Sequence, residues 1–379
     1  MTAVPGGLVG MDTRHSGDPS SRIDPDTGSG TIVGPGRRPA AIALTPILSA
    51  RYRSEHLDRI RQAAPGARLV SVSLEGLADA PLADVEVLLR GPLPAAMFDR
   101  LIARCPELTW VHSATAGVER VLTPAARSRA LIITNARGVF SRPIAEYVLM
   151  MVLAISRRLP QLLELQRERT WQPLESVEMR DLTIGVIGLG SIGRAVAALA
   201  SGFGCRVLAV RRQVDRGLDA SSPTPFPEDD DETPPIRLNV DAVYEPDRMA
   251  EVLAQSDFVV LGLPLTADTE DLFDEQMFAH CKPGSWLINV ARGRLINERA
   301  LLRALRDGPL GGAVLDAFRD EPLPTGSPLY DVPNLIVTPH TAWSSGRVLD
   351  RSIELFCDNL RRYQAGLPMR NVVDPGVGY

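Results

Sequence analysis

The run GLGSIG at 188–193 closes one apolar stretch, VIG, and opens a helical one, RAVAALA. Three glycines so spaced, Gly188, Gly190 and Gly193, let the backbone turn tightly and bring free amides at a helix start against a pyrophosphate, which is the chemistry of dinucleotide binding. About 20 residues further on, an NAD site usually presents Asp or Glu to the ribose 2′-hydroxyl. This chain carries Arg211 and Arg212 there instead. Two guanidinium groups suit a 2′-phosphate, so the reading is NADP(H) preferred, with NAD(H) as the second choice. Three later segments, NVARGRLIN (289–297), LDAFRDEPLP (315–324) and VTPHTAW (337–343), each follow a strand-like run, where open α/β sheets form their crevices. Each supplies one chemical candidate: Arg292, Glu321 and His340. Imidazole is the side chain that ordinarily exchanges a proton near neutrality. The other histidines, His15, His56, His112 and His280, lack this setting.

Positioning such groups requires sheets. From residue 40, short apolar runs alternate with helical patterns, the signature of parallel strands joined by crossover helices. Strands are expected at 42–49, 67–74, 85–90, 109–114 and 131–136, and a second series at 182–188, 205–211, 257–263, 285–290, 311–317 and 335–340. Between the series, one helical segment from about 142 to 168 is longer than a connection needs and reads as an interdomain or intersubunit element. A last amphipathic helix is expected within 344–365. The class is α/β, with two Rossmann-like domains, and 379 residues exceed what one core usually holds.

Composition narrows the function. A net charge of −5 without a basic cluster argues against nucleic acid. No apolar stretch is long enough to cross a membrane, residues 1–38 lack the apolar core of a signal peptide, and the expected location is the cytoplasm. The tail 1–38 and the Pro- and acid-rich insertion 221–235 are expected to be disordered and mobile respectively. Cys105, Cys205, Cys281 and Cys357 stand far apart, as reduced core residues would, and no metal-ligand cluster is present.

The glycine turn and the three segments together resemble the D-isomer-specific 2-hydroxyacid dehydrogenase family, from about residue 40 to the end. The resemblance implies a nucleotide domain (142–342) inserted into a substrate domain (39–141 and 343–379), with the last helix returning to the first domain. By the same resemblance, Arg292 binds the substrate carboxylate and polarises its carbonyl, and His340 is the general acid in reduction. Glu321 is the acidic partner expected to favour the charged imidazole. Ser191 and Ile192 fall at the pyrophosphate, and Leu263 and Pro264 beside the adenosine. Val290, Ala291, Arg292, Asp316 and His340 fall near the nicotinamide, with Asp316 either accepting from the carboxamide or capping local backbone. Backbone amides at Ala116 and Gly117 would meet the substrate carboxylate, and Arg90 is a further candidate to read a substrate tail. A homodimer through the nucleotide domain and the preceding helix is expected. The reading is reduction of a small 2-oxo acid of the glyoxylate or hydroxypyruvate kind. Its rivals are an NAD-linked phosphoglycerate dehydrogenase without the appended regulatory domain, for which the chain past the last helix is too short, and a dinucleotide-sensing corepressor. Formate or phosphite oxidation is disfavoured by Glu321, since formate dehydrogenases carry glutamine there.

Overall fold

The computed structural model describes residues 33–47, 52–212 and 239–376. Residues 1–32 of the expected tail and the insertion 221–235 lie outside the described residues. Residues 33–38, also assigned to the tail, are bound to the protein. Val33 bridges to Pro368, and Arg37 pairs with the buried Glu86 at 2.6 Å, giving a carboxylate removed from water the counter-charge it needs.

The chain forms two parallel sheets. The first contains β1 (Ala41–Leu44), β2 (Arg68–Ser71), β3 (Val85–Arg90), β4 (Trp110–Ser113) and β5 (Ile132–Asn135), in the spatial order β2-β1-β3-β4-β5. The second contains β6 (Thr183–Ile187), β7 (Arg206–Val210), β8 (Ala242–Tyr244), β9 (Phe258–Leu261), β10 (Trp286–Asn289), β11 (Gly312–Leu315) and β12 (Leu335–Val337), in the order β12-β11-β10-β9-β6-β7-β8. Helices cover both faces, so the strands read as continuous apolar runs; every residue of β3 and β6 is buried. The sequence suggested six strands in the second sheet, and the described residues form seven. The extra one, β8, is a three-residue edge strand, half-buried throughout, and too short to show a pattern.

The order of successive strands reverses between β6 and β9, β6 to β8 running outward one way and β9 to β12 the other, which opens a crevice beyond their carboxyl ends. The glycine turn lies there. β10, β11 and β12 end on the same side, since all seven strands are parallel, and so bring the segments after them to one edge.

The segment expected as one helix from 142 to 168 is two, Ser141–Ser156 and Leu159–Arg167, broken at Arg158, which has φ 59°. Pro160 lacks the amide that would continue the hydrogen-bond ladder, so the helix restarts. Ile144, Val148 and Val152 of the first helix pack on Ala195, Val196 and Ala200 of the helix Ser191–Gly202. The second helix buries nothing in this chain.

The helix Val348–Ala365 returns to the first sheet, where Ile353, Phe356, Leu360 and Tyr363 complete the core around β1, β3 and β4. Trp110 is its centre: fully buried, stacked on Phe356 and Tyr363 with ring centroids 5.3 Å away in each case, and donating from Nε1 to Thr134 Oγ1 at 2.9 Å. Replacing it leaves a cavity between strand and helix that neither backbone can close. Trp110→Ala is expected to cost about 3–5 kcal/mol and to lower the thermal midpoint by roughly 6–20 °C in a circular-dichroism melt; a shift under about 2 °C would contradict the central place given to this ring.

Candidate active site

The turn after β6 is shaped for a phosphate-bearing ligand. Gly188 has φ +102°, and a Cβ there would sit 2.8 Å from the Gly262 carbonyl oxygen, just past β9. A Cβ on Gly193 would sit 2.0 Å from the Gly188 oxygen, so only glycine lets the helix approach its strand. Gly190 faces open space and caps the helix Ser191–Gly202 without a side-chain hydrogen bond, which leaves first-turn amides to a ligand. Ser191 and Ile192 are half-exposed beside it. This cradle fits a dinucleotide pyrophosphate. Arg211 and Arg212 stand at the end of the neighbouring strand β7, where the Arg211 amide donates to Tyr244 O at 3.0 Å. Leu263 lines the turn, its Cδ2 lying 3.0 Å from the position of a Gly188 Cβ, while Pro264 is exposed.

Past β10, buried Asn289 closes the next turn. Its Oδ1 accepts from the Ala291 amide (3.0 Å) and its Nδ2 donates to Arg292 O (2.9 Å), while Val290 and Ala291 are buried under the turn. Gly293 is required because a Cβ would lie 1.9 Å from the Phe318 backbone. Arg292 therefore leaves the turn in one direction. Its Nε donates to Glu119 Oε1 at 3.0 Å and its Nη1 to Ala291 O at 2.8 Å. Its Nη2 lies against Gly117, 1.9 Å from where an alanine Cβ would be. In the loop 113–119 after β4, Asn135 Nδ2 holds Ala116 O (2.8 Å) and Thr115 Oγ1 holds Gly117 O (2.8 Å). Among the described residues, the amides of Ala116 and Gly117 have no hydrogen-bond acceptor.

His340, past β12, meets Glu321 through Nδ1, 2.8 Å from Oε2 and 3.0 Å from Oε1; the Phe318 amide also donates to Oε1 at 2.9 Å. Burial pushes the Glu321 carboxyl upward, but the His340 hydrogen bond, the Phe318 amide and the charges of His340 and Arg292 outweigh it and hold the group below its ordinary value. An ionised carboxylate only accepts, so Nδ1 carries hydrogen and Nε2 is the nitrogen that gains or loses a proton. Nε2 has no partner among the described residues, and the side chain is 43% exposed. His340 has φ +50°, an uncommon conformation for a residue with a Cβ. It is held from both sides: Trp343 Nε1 donates to His340 O at 2.7 Å, and the His340 amide donates to Thr338 O at 2.9 Å.

Two sequence candidates have protein partners of their own. Asp316 is 2% exposed, and its carboxylate accepts from Thr338 Oγ1 (2.7 Å), the Thr341 amide (2.8 Å) and the Ala342 amide (2.9 Å). It caps local backbone around His340, the second of the two readings offered above. Thr338 gives its single proton to Asp316, so the Tyr147 hydroxyl, 2.6 Å away, donates to Thr338. Arg90 is turned into the protein. It is 1% exposed, its Nη2 donates to Leu93 O (2.6 Å) and Arg120 O (3.1 Å), and its guanidinium lies 4.8 Å from the Phe98 ring centroid. Burial, with Arg120 nearby, lowers its pKa to about 10. It braces the loop that carries Gly117 instead.

The sequence reading missed Glu119, Asn289 and Trp343. All three stand inside segments already singled out, Glu119 closing SATAGVE (113–119), but nothing in sequence spacing links Glu119 to a residue 173 positions away.

The arrangement sets a guanidinium that can bind an anion and a carboxylate-oriented imidazole that can exchange a proton on the sheet edge that also carries the glycine turn. The sequence profile of the D-isomer specific 2-hydroxyacid dehydrogenase NAD binding domain matches residues 149–342. A glyoxylate reductase of Korarchaeum cryptofilum is 29% identical over 330 residues, which is 85% of this chain and 90% of that protein. Among solved structures, a D-isomer specific 2-hydroxyacid dehydrogenase from Xanthobacter autotrophicus Py2, in complex with NADPH and MES, has a TM-score of 0.74 at 29% identity, covering 90% of this chain and 99% of that one. An NADPH-dependent glyoxylate/hydroxypyruvate reductase from Sinorhizobium meliloti, in complex with NADP and sulfate, has a TM-score of 0.73 at 26% identity, covering 90% and 100%. The chain therefore belongs to the D-isomer specific 2-hydroxyacid dehydrogenase family and is an NAD(P)-dependent oxidoreductase acting on a CH–OH group.

Proposed function

We propose that the protein reduces a small 2-oxo acid of the glyoxylate or hydroxypyruvate kind, with NADPH as its preferred coenzyme. The observation that carries this reading is the His340–Glu321 pair, 2.8 Å apart at Nδ1, which leaves Nε2 unpartnered among the described residues. Gly188, Gly190, Ser191, Ile192 and Gly193 would hold the pyrophosphate, Arg211 and Arg212 the 2′-phosphate, Leu263 and Pro264 the adenosine side, and Val290 and Ala291 the nicotinamide side. When bound, the coenzyme supplies a hydride to the substrate's carbonyl carbon. Arg292 and the amides of Ala116 and Gly117 hold the substrate carboxylate, and the guanidinium polarises the carbonyl. His340 gives the Nε2 proton to the carbonyl oxygen as negative charge develops there, and Glu321 holds the ring and balances the imidazolium charge. Asp316 and Trp343 fix the backbone from which that proton is delivered. In the reverse direction Nε2 is the base. Residues 39–141 with 343–379 would form the substrate domain and 142–342 the nucleotide domain. The four buried thiols suit the cytoplasm, and among the described residues no helix is long and apolar enough to cross a membrane.

Purified protein with NADPH is expected to reduce glyoxylate or hydroxypyruvate, with kcat/KM higher than with NADH, and His340→Gln is expected to lose about 100-fold or more in kcat. Equal or better efficiency with NADH would sink the coenzyme assignment, and tight coenzyme binding without turnover of any 2-oxo acid would sink the substrate one.

Reduction needs Glu321 ionised and His340 protonated. On the acid side it should persist until Glu321 is protonated, which its lowered pKa places below the ordinary glutamate value of about 4.3. A kcat/KM profile that already declines below about pH 6 would contradict this pairing.

The helix Leu159–Arg167 presents Leu159, Leu162 and Leu163 at 41–46% exposure, and Trp171 beyond it is fully exposed. Such a face is suited to a second copy, so the protein is expected to sediment as a homodimer at micromolar concentration; a monomer there would refute it.

A further inference from the structure

We propose that Glu119 is a positioning residue that sets Arg292 against the loop of the first domain, so that the two halves of the substrate-carboxylate site form in register. The inference rests on the reading that this cleft takes a 2-oxo acid. A guanidinium has five N–H donors in a fixed plane, and whichever are engaged decide where the others point. In Arg292, Nε is engaged by Glu119 across the cleft at 3.0 Å and Nη1 by its own turn at 2.8 Å. Nη2 has no hydrogen-bond partner among the described residues and lies over Gly117.

Gly117 and Ala116 carry the unaccepted amides, while their carbonyls are held inward by Thr115 and Asn135. Donors from two domains thus converge on one place, and Glu119, two residues along the same loop, is the strut between them. Burial pushes the Glu119 carboxyl upward, yet the charge and hydrogen bond of Arg292 outweigh it, so the group is held ionised below its ordinary value. Without that strut the guanidinium can swing about its flexible stem, and the distance from Nη2 to the amides is no longer defined.

The test uses wild-type protein, Glu119→Ala and Glu119→Gln, each saturated with NADPH. It measures calorimetric binding of oxamate, an unreactive isostere of a 2-oxo acid, together with kcat and KM for glyoxylate, NADPH affinity by fluorescence and the thermal midpoint. Losing a hydrogen bond to a charged group predicts that Glu119→Ala weakens oxamate binding and raises KM by about tenfold or more. NADPH affinity and the thermal midpoint should not move. Glu119→Gln, whose amide oxygen still accepts from Nε, should recover most of the loss. Oxamate affinity within about twofold of wild type in Glu119→Ala, an equal loss of NADPH affinity, or a Gln variant as impaired as the Ala variant would each overturn the proposal. Wild-type protein that binds oxamate but reduces no 2-oxo acid would defeat the proposed reaction while leaving the Glu119 comparison intact. Failure of the wild type to bind oxamate at all would overturn both.

Discussion

A carboxylate withdrawn from water must find donors, and Asp316 finds three of them in the segment that carries His340. Around that buried charge the chain can hold a histidine at φ +50°, a conformation that costs a residue with a Cβ about 1–2 kcal/mol. The strain is balanced by the Thr341 and Ala342 amides on Asp316 and by the Trp343 indole on the histidine carbonyl. Tyr147 extends the network through Thr338 into the helix Ser141–Ser156, which is itself packed on the helix opened by the glycine turn. The orientation of the imidazole and the seating of the dinucleotide cradle therefore share one set of contacts.

The parts of the site most legible in the sequence are those whose chemistry is local. Gly188, Gly190 and Gly193 announce themselves because steric demands at a turn are met within six residues. Arg292, Glu321 and His340 stand out because each follows an apolar strand, and parallel topology brings such ends together. The fold class was legible for the same reason, since strands buried on both faces leave continuous apolar runs.

What stayed hidden depends on tertiary placement. The sequence shows Arg90 at a strand end, as it shows Arg292, but only packing decides that Arg90 faces Phe98 and backbone carbonyls while Arg292 faces Glu119. Asp316 was read as serving a ligand or the backbone, and only tertiary placement sets its carboxylate against the Thr338, Thr341 and Ala342 donors. The break at Arg158 was marked by Pro160, yet hydrophobic periodicity continues across it and masked the stop. β8 is too short to alternate, and Glu119 acquires its partner only when two domains meet.

The return of the last helix to the first sheet bears on the order in which the molecule can be completed during synthesis. The hydroxyls of Thr109 and Tyr363 are bonded at 2.7 Å across 254 positions, and Trp110 has no stacked ring on it until Phe356 and Tyr363 arrive. A chain emerging from a ribosome ordinarily folds its leading domain first. Here the leading strands must wait with one indole face unstacked while the second sheet, contiguous from β6 to β12, can close. The domain translated first is thus the one finished last, and its exposed core is what cellular quality control would meet in an interrupted chain.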